Sequence, residues 1–220
     1  MTSFTCVDCG RSFSVKAATL DKFPGWTPKQ CMSCRGGGAA TAKEGTKRRG
    51  GGRKRTLSLV EENLTAAEVL AKYTEGPTDG VFTDGSAHPN PGPGGWGAVY
   101  VVGGEVVDQA HGGSPETTNN RMELTALIAG YDLVPAGTAA VVYTDSKLCV
   151  DTINVWAEGW ERAGWKRKTG AVQNLDLVKV LYAKHKARPE LKLQWIRAHD
   201  GSRWNEYADS LSTAYLRDEL

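Results

Sequence analysis

Apolar and polar positions along the chain change period several times, and each change predicts an element. Leu57, Leu59, Val60, Leu64, Val69 and Leu70 are scattered through 57–75. Thr65, three residues before Glu68, has the spacing of a capping box, which predicts a short helix docked on the segment C-terminal to it. Val81-Phe82-Thr83 is a short β-type run, and Trp96–Val102 and Glu105–Ala110 flank Gly103-Gly104, a hairpin signal. Residues 117–134 read as a helix, with Leu124, Leu127, Ile128 and Tyr131 at helical spacing, and Ala139–Thr144 as a buried strand. Residues 146–156 form a helix whose Cys149, Thr152, Ile153 and Trp156 share one face. A helix over 172–186, a strand at 191–196 and a last helix from Arg203 complete the order, with Trp204, Ala208, Leu211 and Tyr215 on one stripe and Ser202 as its cap. Three meandering strands followed by alternating helices and strands predict an α/β fold with a mixed five-stranded sheet and flanking helices.

Ahead of that pattern the character changes. Residues 35–56 have no apolar periodicity and carry 8 Lys/Arg against Glu44, with Gly36–Gly38 and Gly50–Gly52 as triplets. Such a stretch buries too little surface to offset the entropy of ordering, which predicts a flexible basic linker. Residues 1–55 hold 12 Lys/Arg and 3 Asp/Glu, a balance of +9 within a chain of net charge +2, so the remainder is acidic. A basic arm favours polyanions, nucleic acid above all. The expected organisation is a small module at 1–34, the linker at 35–56, a connecting helix at 57–78 and a larger domain at 79–220. With 40% apolar residues the chain can bury a core, which excludes a fully disordered protein. No apolar run suits a membrane span and the first residues do not form a signal segment, so a cytoplasmic monomer is expected.

Cys6-x2-Cys9 and Cys31-x2-Cys34 fit a tetrahedral Zn²⁺ site of the ribbon kind, with Gly10 suiting the knuckle turn. A metal staple makes physical sense in a segment too short for a core of its own. Two disulfides or a redox dithiol are the alternatives, the first disfavoured in a reducing cytosol.

Four acids occupy positions awkward for packing. Asp84 and Asp145 each follow a buried-type strand, where α/β folds place their sites. Glu123 lies in the first turns of a helix, one turn before Leu127, and Asp209 lies beside the apolar stripe of the last helix. Carboxylates gathered near a core repel one another and are costly to desolvate, and Mg²⁺ compensates them well. Taken singly, an Asp after a strand is more often a turn or helix-cap residue, and it is four such acids together that shift the reading.

The words around these acids resemble one family. Phe82-Thr83-Asp84-Gly85-Ser86 followed by Asn90-Pro91-Gly92-Pro93-Gly94-Gly95-Trp96-Gly97-Ala98 is similar to the opening hairpin of type 1 ribonuclease H. Thr117-Thr118-Asn119-Asn120-Arg121-Met122-Glu123-Leu124, Tyr143-Thr144-Asp145-Ser146, and Trp195-Ile196-Arg197-Ala198-His199 with Asn205-Glu206-Tyr207-Ala208-Asp209 resemble its later motifs, in family order. The resemblance covers 79–220.

It implies hydrolysis of the RNA strand of RNA–DNA hybrids with two Mg²⁺ or Mn²⁺ ions, leaving 5′-phosphate and 3′-hydroxyl ends. It assigns Asp84, Glu123, Asp145 and Asp209 to those ions and makes His199 a mobile helper of proton movement or product release. Asn90, Asn119 and Asn120 suit reading of the 2′-hydroxyl, although two Asn before a helix equally suit a cap pair, and Arg121 suits a phosphate. Trp156, Trp160 and Trp165 interleaved with Arg162, Lys166, Arg167 and Lys168 resemble the family's basic protrusion for the DNA strand. Trp156 could instead pack inward, Glu161 and Ala163 dilute the basic run, and Ala198 stands where a glycine is common. The rivals are a DNA nuclease of the same fold and a non-catalytic hybrid-binding protein.

Overall fold

Gly103 and Gly104 both take positive φ (61° and 78°) and turn the chain tightly between its two longest strands. In the computed structural model, which describes residues 2–7, 10–15, 27–29, 63–167 and 170–217, the chain divides into two compact units, 1–57 and 58–220. In the first, β1 (Thr2–Thr5) pairs antiparallel with β2 (Ser12–Val15), placing Phe4 opposite Phe13. Cys6 is buried just after β1, and its carbonyl accepts from the N–H of Gly10, whose φ is 69°. Cys9, Cys31, Cys34 and the 35–56 linker lie outside the described residues.

The second unit opens with α1 (Ala66–Lys72), where Thr65 and Glu68 exchange capping hydrogen bonds as their spacing predicts. Then come β3 (Gly80–Ala87), β4 (Gly92–Val102), β5 (Glu105–Thr117), α2 (Asn119–Leu133) and β6 (Ala140–Thr144). A helical run follows as α3 (Lys147–Asp151), a π turn at Thr152–Trp156 and α4 (Ala157–Arg162). The two-residue strands β7 (Lys166–Arg167) and β8 (Gly170–Ala171), then α5 (Leu175–Ala187), β9 (Leu191–Trp195) and α6 (Arg203–Ser212), complete it. The five-stranded sheet has the order β5-β4-β3-β6-β9. The meander β3–β5 is antiparallel, while β3–β6 and β6–β9 are parallel, so the sheet is mixed as expected.

Alternation along the strands gives the sheet two apolar faces. Val81, Tyr100 and Val142 point into a core with Leu127 and Tyr131 of α2 and Leu181 of α5. Their neighbours Phe82, Val99 and Val101 point the other way, onto Trp204, Ala208 and Leu211 of α6 and Val69 of α1. The connecting helix thus belongs to the second unit's own core.

Three details differ from the sequence pattern. Helical spacing puts Trp156 on a buried stripe; the π turn adds to the pitch there, so Ala157 takes the buried place and Trp156 is 39% exposed. Ser202 sits at the N-cap of α6, but its hydroxyl makes no capping bond, and Tyr215 falls beyond the helix in a 3₁₀ turn. Strands β3 and β4 run on through the Gly-Pro-rich words, because those glycines make room for helices.

Gly85 shows that room most clearly. A Cβ there would lie 2.2 Å from the backbone N of Glu123, and one at Gly97 would lie 2.4 Å from Cβ of Leu211. Both helices therefore rest directly on strand backbone. Gly85→Ala should lower stability by about 1–3 kcal/mol, the range for overpacking a tight contact, measured by urea denaturation. An unchanged midpoint would contradict this close approach.

Candidate active site

Asp84 lies inside β3, which runs three residues beyond it instead of ending before it as the sequence pattern suggests, and Asp145 directly follows β6, its parallel neighbour. Thr83 pairs with Thr144, so the two acids come next at the same level. The first turns of α2, held against β3 at Gly85, bring Glu123 over them. Carboxylate oxygens of Asp84, Glu123 and Asp145 lie within 4.8 Å of one another. Asp209 on α6 is outside that group of three, yet its charge reaches Asp145.

Burial and mutual repulsion dominate the electrostatics. Desolvation, then the charge of Asp145, pushes the Asp84 carboxyl up to about 7, against hydrogen bonds from Ser212 and the Gly85 amide. Glu123 is raised well above the usual carboxylate range by burial and then by Asp84 and Asp145. Asp145 is raised by burial and by Asp209, while His199 and a hydrogen bond from Asn205 oppose the shift. No Lys or Arg contributes to any of these three shifts. The donor set is thus three close, all-oxygen groups whose charged forms are disfavoured by burial and mutual repulsion. That is the chemistry a hard divalent ion answers, and Mg²⁺ or Mn²⁺ fits it.

Hydroxyls and amides brace the acids. The Thr144 hydroxyl lies 3.4 Å from Glu123 Oε2, and the indole N–H of Trp195 donates to the Asp145 carbonyl at 3.0 Å. Ser212 donates to Asp84 Oδ2 at 2.5 Å. His199 stands in the loop before α6 with positive φ (47°), its ring half exposed and Nδ1 3.8 Å from Oε2 of Glu206.

The remaining candidates divide by place. Asn119 Oδ1 accepts from the Ala87 N–H at 2.7 Å, and Asn90 Oδ1 accepts from the Asn119 N–H at 3.3 Å, tying the β3–β4 turn to the start of α2. The N-cap itself is Thr118. Asn120 is exposed and lines a shallow pocket with Trp156, Trp160 and Arg167. Arg121 forms a bidentate ion pair with Asp176 at 2.8 and 3.1 Å. Trp156 and Trp160 sit with ring centroids 5.9 Å apart, and Lys166 is exposed on β7; Lys168 lies outside the described residues.

Sequence reasoning missed Asn205, Ser212 and Trp195 as supports of the acids. A signal existed for two of them. Asn205 and Ser212 stand four before and three after Asp209, the spacing of one helix face.

A family model described as RNase H matches residues 78–217. Among curated relatives, Ribonuclease H of Methylorubrum extorquens (strain PA1) is 42% identical over 140 residues, covering 64% of this chain and 60% of the relative. Ribonuclease H of Herminiimonas arsenicoxydans is 43% identical over 133 residues, covering 60% of this chain and 90% of the relative. The chain thus spans about three-fifths of the first relative's length and most of the second's. The solved structure of LC9-RNase H1, a type 1 RNase H with the type 2 active-site motif, is 33% identical with a TM-score of 0.51, covering 64% of this chain and 74% of that one. The PFV RNase H domain, 20% identical with a TM-score of 0.55 over 63% of this chain and 95% of that one, shares the fold.

The raised carboxyls fix a sign. Asp84 and Glu123 bind protons more tightly folded than unfolded, so from about pH 4 to about pH 7 the folded state carries more protons and stability falls as pH rises. The melting temperature of the metal-free protein should therefore drop more steeply over that window than that of Asp84→Asn, and Mg²⁺ added above it should restore part of the loss. Parallel profiles for the two proteins would contradict the repulsive cluster.

Proposed function

The chain belongs to the RNase H family, and we propose that it is a divalent-cation-dependent endoribonuclease that hydrolyses the RNA strand of RNA–DNA hybrids. The observation that carries this reading is the mutual approach of Asp84 in β3, Glu123 in the first turns of α2 and Asp145 just after β6. Those three, with Asp209, would hold two Mg²⁺ or Mn²⁺ ions. Bound there, the ions would supply an activated water and charge stabilisation for a leaving 3′-oxygen, which gives 5′-phosphate and 3′-hydroxyl ends. His199, on its exposed loop, moves a proton near that oxygen or eases product release.

Recognition is assigned to the surface beside the cluster. Asn90, Asn119 and Asn120 are assigned to reading 2′-hydroxyls, the side-chain oxygens of Asn90 and Asn119 being also engaged in holding the turn. Arg121 reaches a phosphate only by releasing or sharing Asp176, so its first role is to fix α2 to α5. Trp156, Trp160, Lys166, Arg167 and Lys168 give the other strand an aromatic and cationic surface, and the outward turn of Trp156 favours that use. Type 1 membership rests on the opening hairpin and the basic protrusion.

For the N-terminal unit we propose a structural Zn²⁺ held by Cys6, Cys9, Cys31 and Cys34, followed by the basic linker as a nucleic-acid tether. Burial of Cys6 beside the turn at Gly10 supports the metal reading. A monomer in the cytoplasm remains the working expectation. Among the described residues no helix is long and apolar enough to cross a membrane.

Asp145→Asn removes a charge while keeping shape, so it should abolish nearly all hybrid cleavage and leave hybrid binding intact; near-normal turnover would overturn the reading. His199→Ala should slow cleavage about 10²–10⁴-fold, as loss of a proton-transfer group does. A loss equal to that of Asp145→Asn would give His199 a metal or structural role instead. Deleting residues 1–56 should raise KM and flatten the salt dependence of binding with kcat nearly unchanged. Equal salt slopes would leave the arm without a nucleic-acid role.

A further inference from the structure

Ser212 is the last residue of α6, one turn beyond Asp209, and it is fully buried. Its hydroxyl has three acceptors in reach: Asp84 Oδ2 at 2.5 Å, the Asp209 carbonyl at 3.0 Å and Ser86 Oγ at 3.3 Å. A hydroxyl has one proton to give. The carboxylate takes it, being the nearest acceptor and the only charged one, and charge-assisted bonds of this kind are the short, strong ones.

The donor is held as firmly as its acceptor. The carbonyl oxygen of Ser212 lies 2.2 Å from where a Cβ at Gly95 would stand, and its amide N 2.9 Å from one at Gly97. The end of α6 is therefore pressed onto β4, and the hydroxyl cannot drift. Asp84 needs such a fixture. Rotation about its terminal torsion is soft, and strand geometry alone does not select an orientation for its oxygens. Glu123 and Asp145 receive comparable support from Thr144 and Asn205. Ser212 likewise joins two elements that each bring an acid, β3 with Asp84 and α6 with Asp209, and does so through a shorter bond than Thr144 makes to Glu123.

We propose that Ser212 is a positioning residue: by donating to Asp84 Oδ2 it sets the rotation of that carboxylate and locks the Asp209 helix to β3, so that a divalent cation meets a preformed ligand set. This rests on reading the acidic cluster as a metal site. A purely local role for the hydroxyl, bonding back to the Asp209 carbonyl one turn earlier, is the alternative.

The test uses the full chain with Ser212→Ala and the near-isosteric, weakly donating Ser212→Cys. Substrate-free protein is titrated with Mg²⁺ by calorimetry, and the melting temperature of metal-free protein is measured for Ser212→Ala with and without Asp84→Asn. Ser212→Ala should weaken Mg²⁺ binding about tenfold, the lower end of the range for losing a hydrogen-bond partner of a metal ligand, with Ser212→Cys intermediate. The KM for hybrid at saturating Mg²⁺ should stay unchanged, and the effect of Ser212→Ala on melting temperature should depend on whether residue 84 is Asp or Asn. Wild-type Mg²⁺ affinity in both variants, or an effect on melting temperature that ignores residue 84, would overturn the proposal while leaving the metal site standing. Failure of the unaltered protein to bind Mg²⁺ would overturn both. If Ser212→Ala does not fold, Ser212→Cys with wild-type Mg²⁺ affinity is by itself the contrary result.

Discussion

Three carboxylates with oxygens within 4.8 Å of one another, in a setting that desolvates them, repel strongly, and the rest of the site is organised around that cost. The fold imposes the encounter. Parallel pairing of β3 with β6 in the Thr83–Thr144 register delivers Asp84 and Asp145 side by side, and Gly85 lets α2 lie close enough to add Glu123. Among the described residues no lysine or arginine relieves the three. They are steadied by hydroxyls of Thr144 and Ser212 and the amide of Asn205, which orient the acids without neutralising them, while His199 opposes the upward shifts of Asp84 and Asp145. Negative charge concentrated this way is compatible with binding of a divalent cation.

The elements around this cluster are tied to one another by side-chain bonds. The Asn119–Ala87 and Asn90–Asn119 hydrogen bonds tie the β3–β4 turn to α2, and the Arg121–Asp176 pair ties α2 to α5. The π turn at Thr152–Trp156 then rotates Trp156 out beside Trp160, where both line a pocket with Asn120 and Arg167. One helix start therefore links the acidic cluster to the aromatic surface.

Much of this was legible in the sequence. The four acids stand in distinctive words, the Gly103-Gly104 turn and the Thr65–Glu68 capping box are local chemistry, and the two-faced sheet follows from alternation such as Val81–Phe82. What escaped depended on contacts far apart in the chain or on backbone irregularity. Helical spacing puts Ser212 on the face of Asp209, but it does not point to Asp84, the acid 128 residues away that the hydroxyl actually meets. A π turn leaves no periodic signature, so Trp156 reads as buried until the wider turn is seen. Ser202 has the right residue type for a cap, yet its hydroxyl finds no partner, since propensity does not fix a rotamer. The side chains of Asn119 and Asn90, read from sequence only as recognition groups or a cap pair, in fact hold the β3–β4 turn against α2.

The central claim is that the acidic cluster holds divalent cations and that the surface beside it selects a hybrid. Cleavage of three end-labelled duplexes of one sequence, RNA–DNA, RNA–RNA and DNA–DNA, with Mg²⁺ and with chelator, tests both halves together. The account predicts internal cuts in the RNA strand of the hybrid only, with Mg²⁺ only. Cleavage that persists in chelator, or cutting of duplex DNA at a rate matching the hybrid, would contradict it.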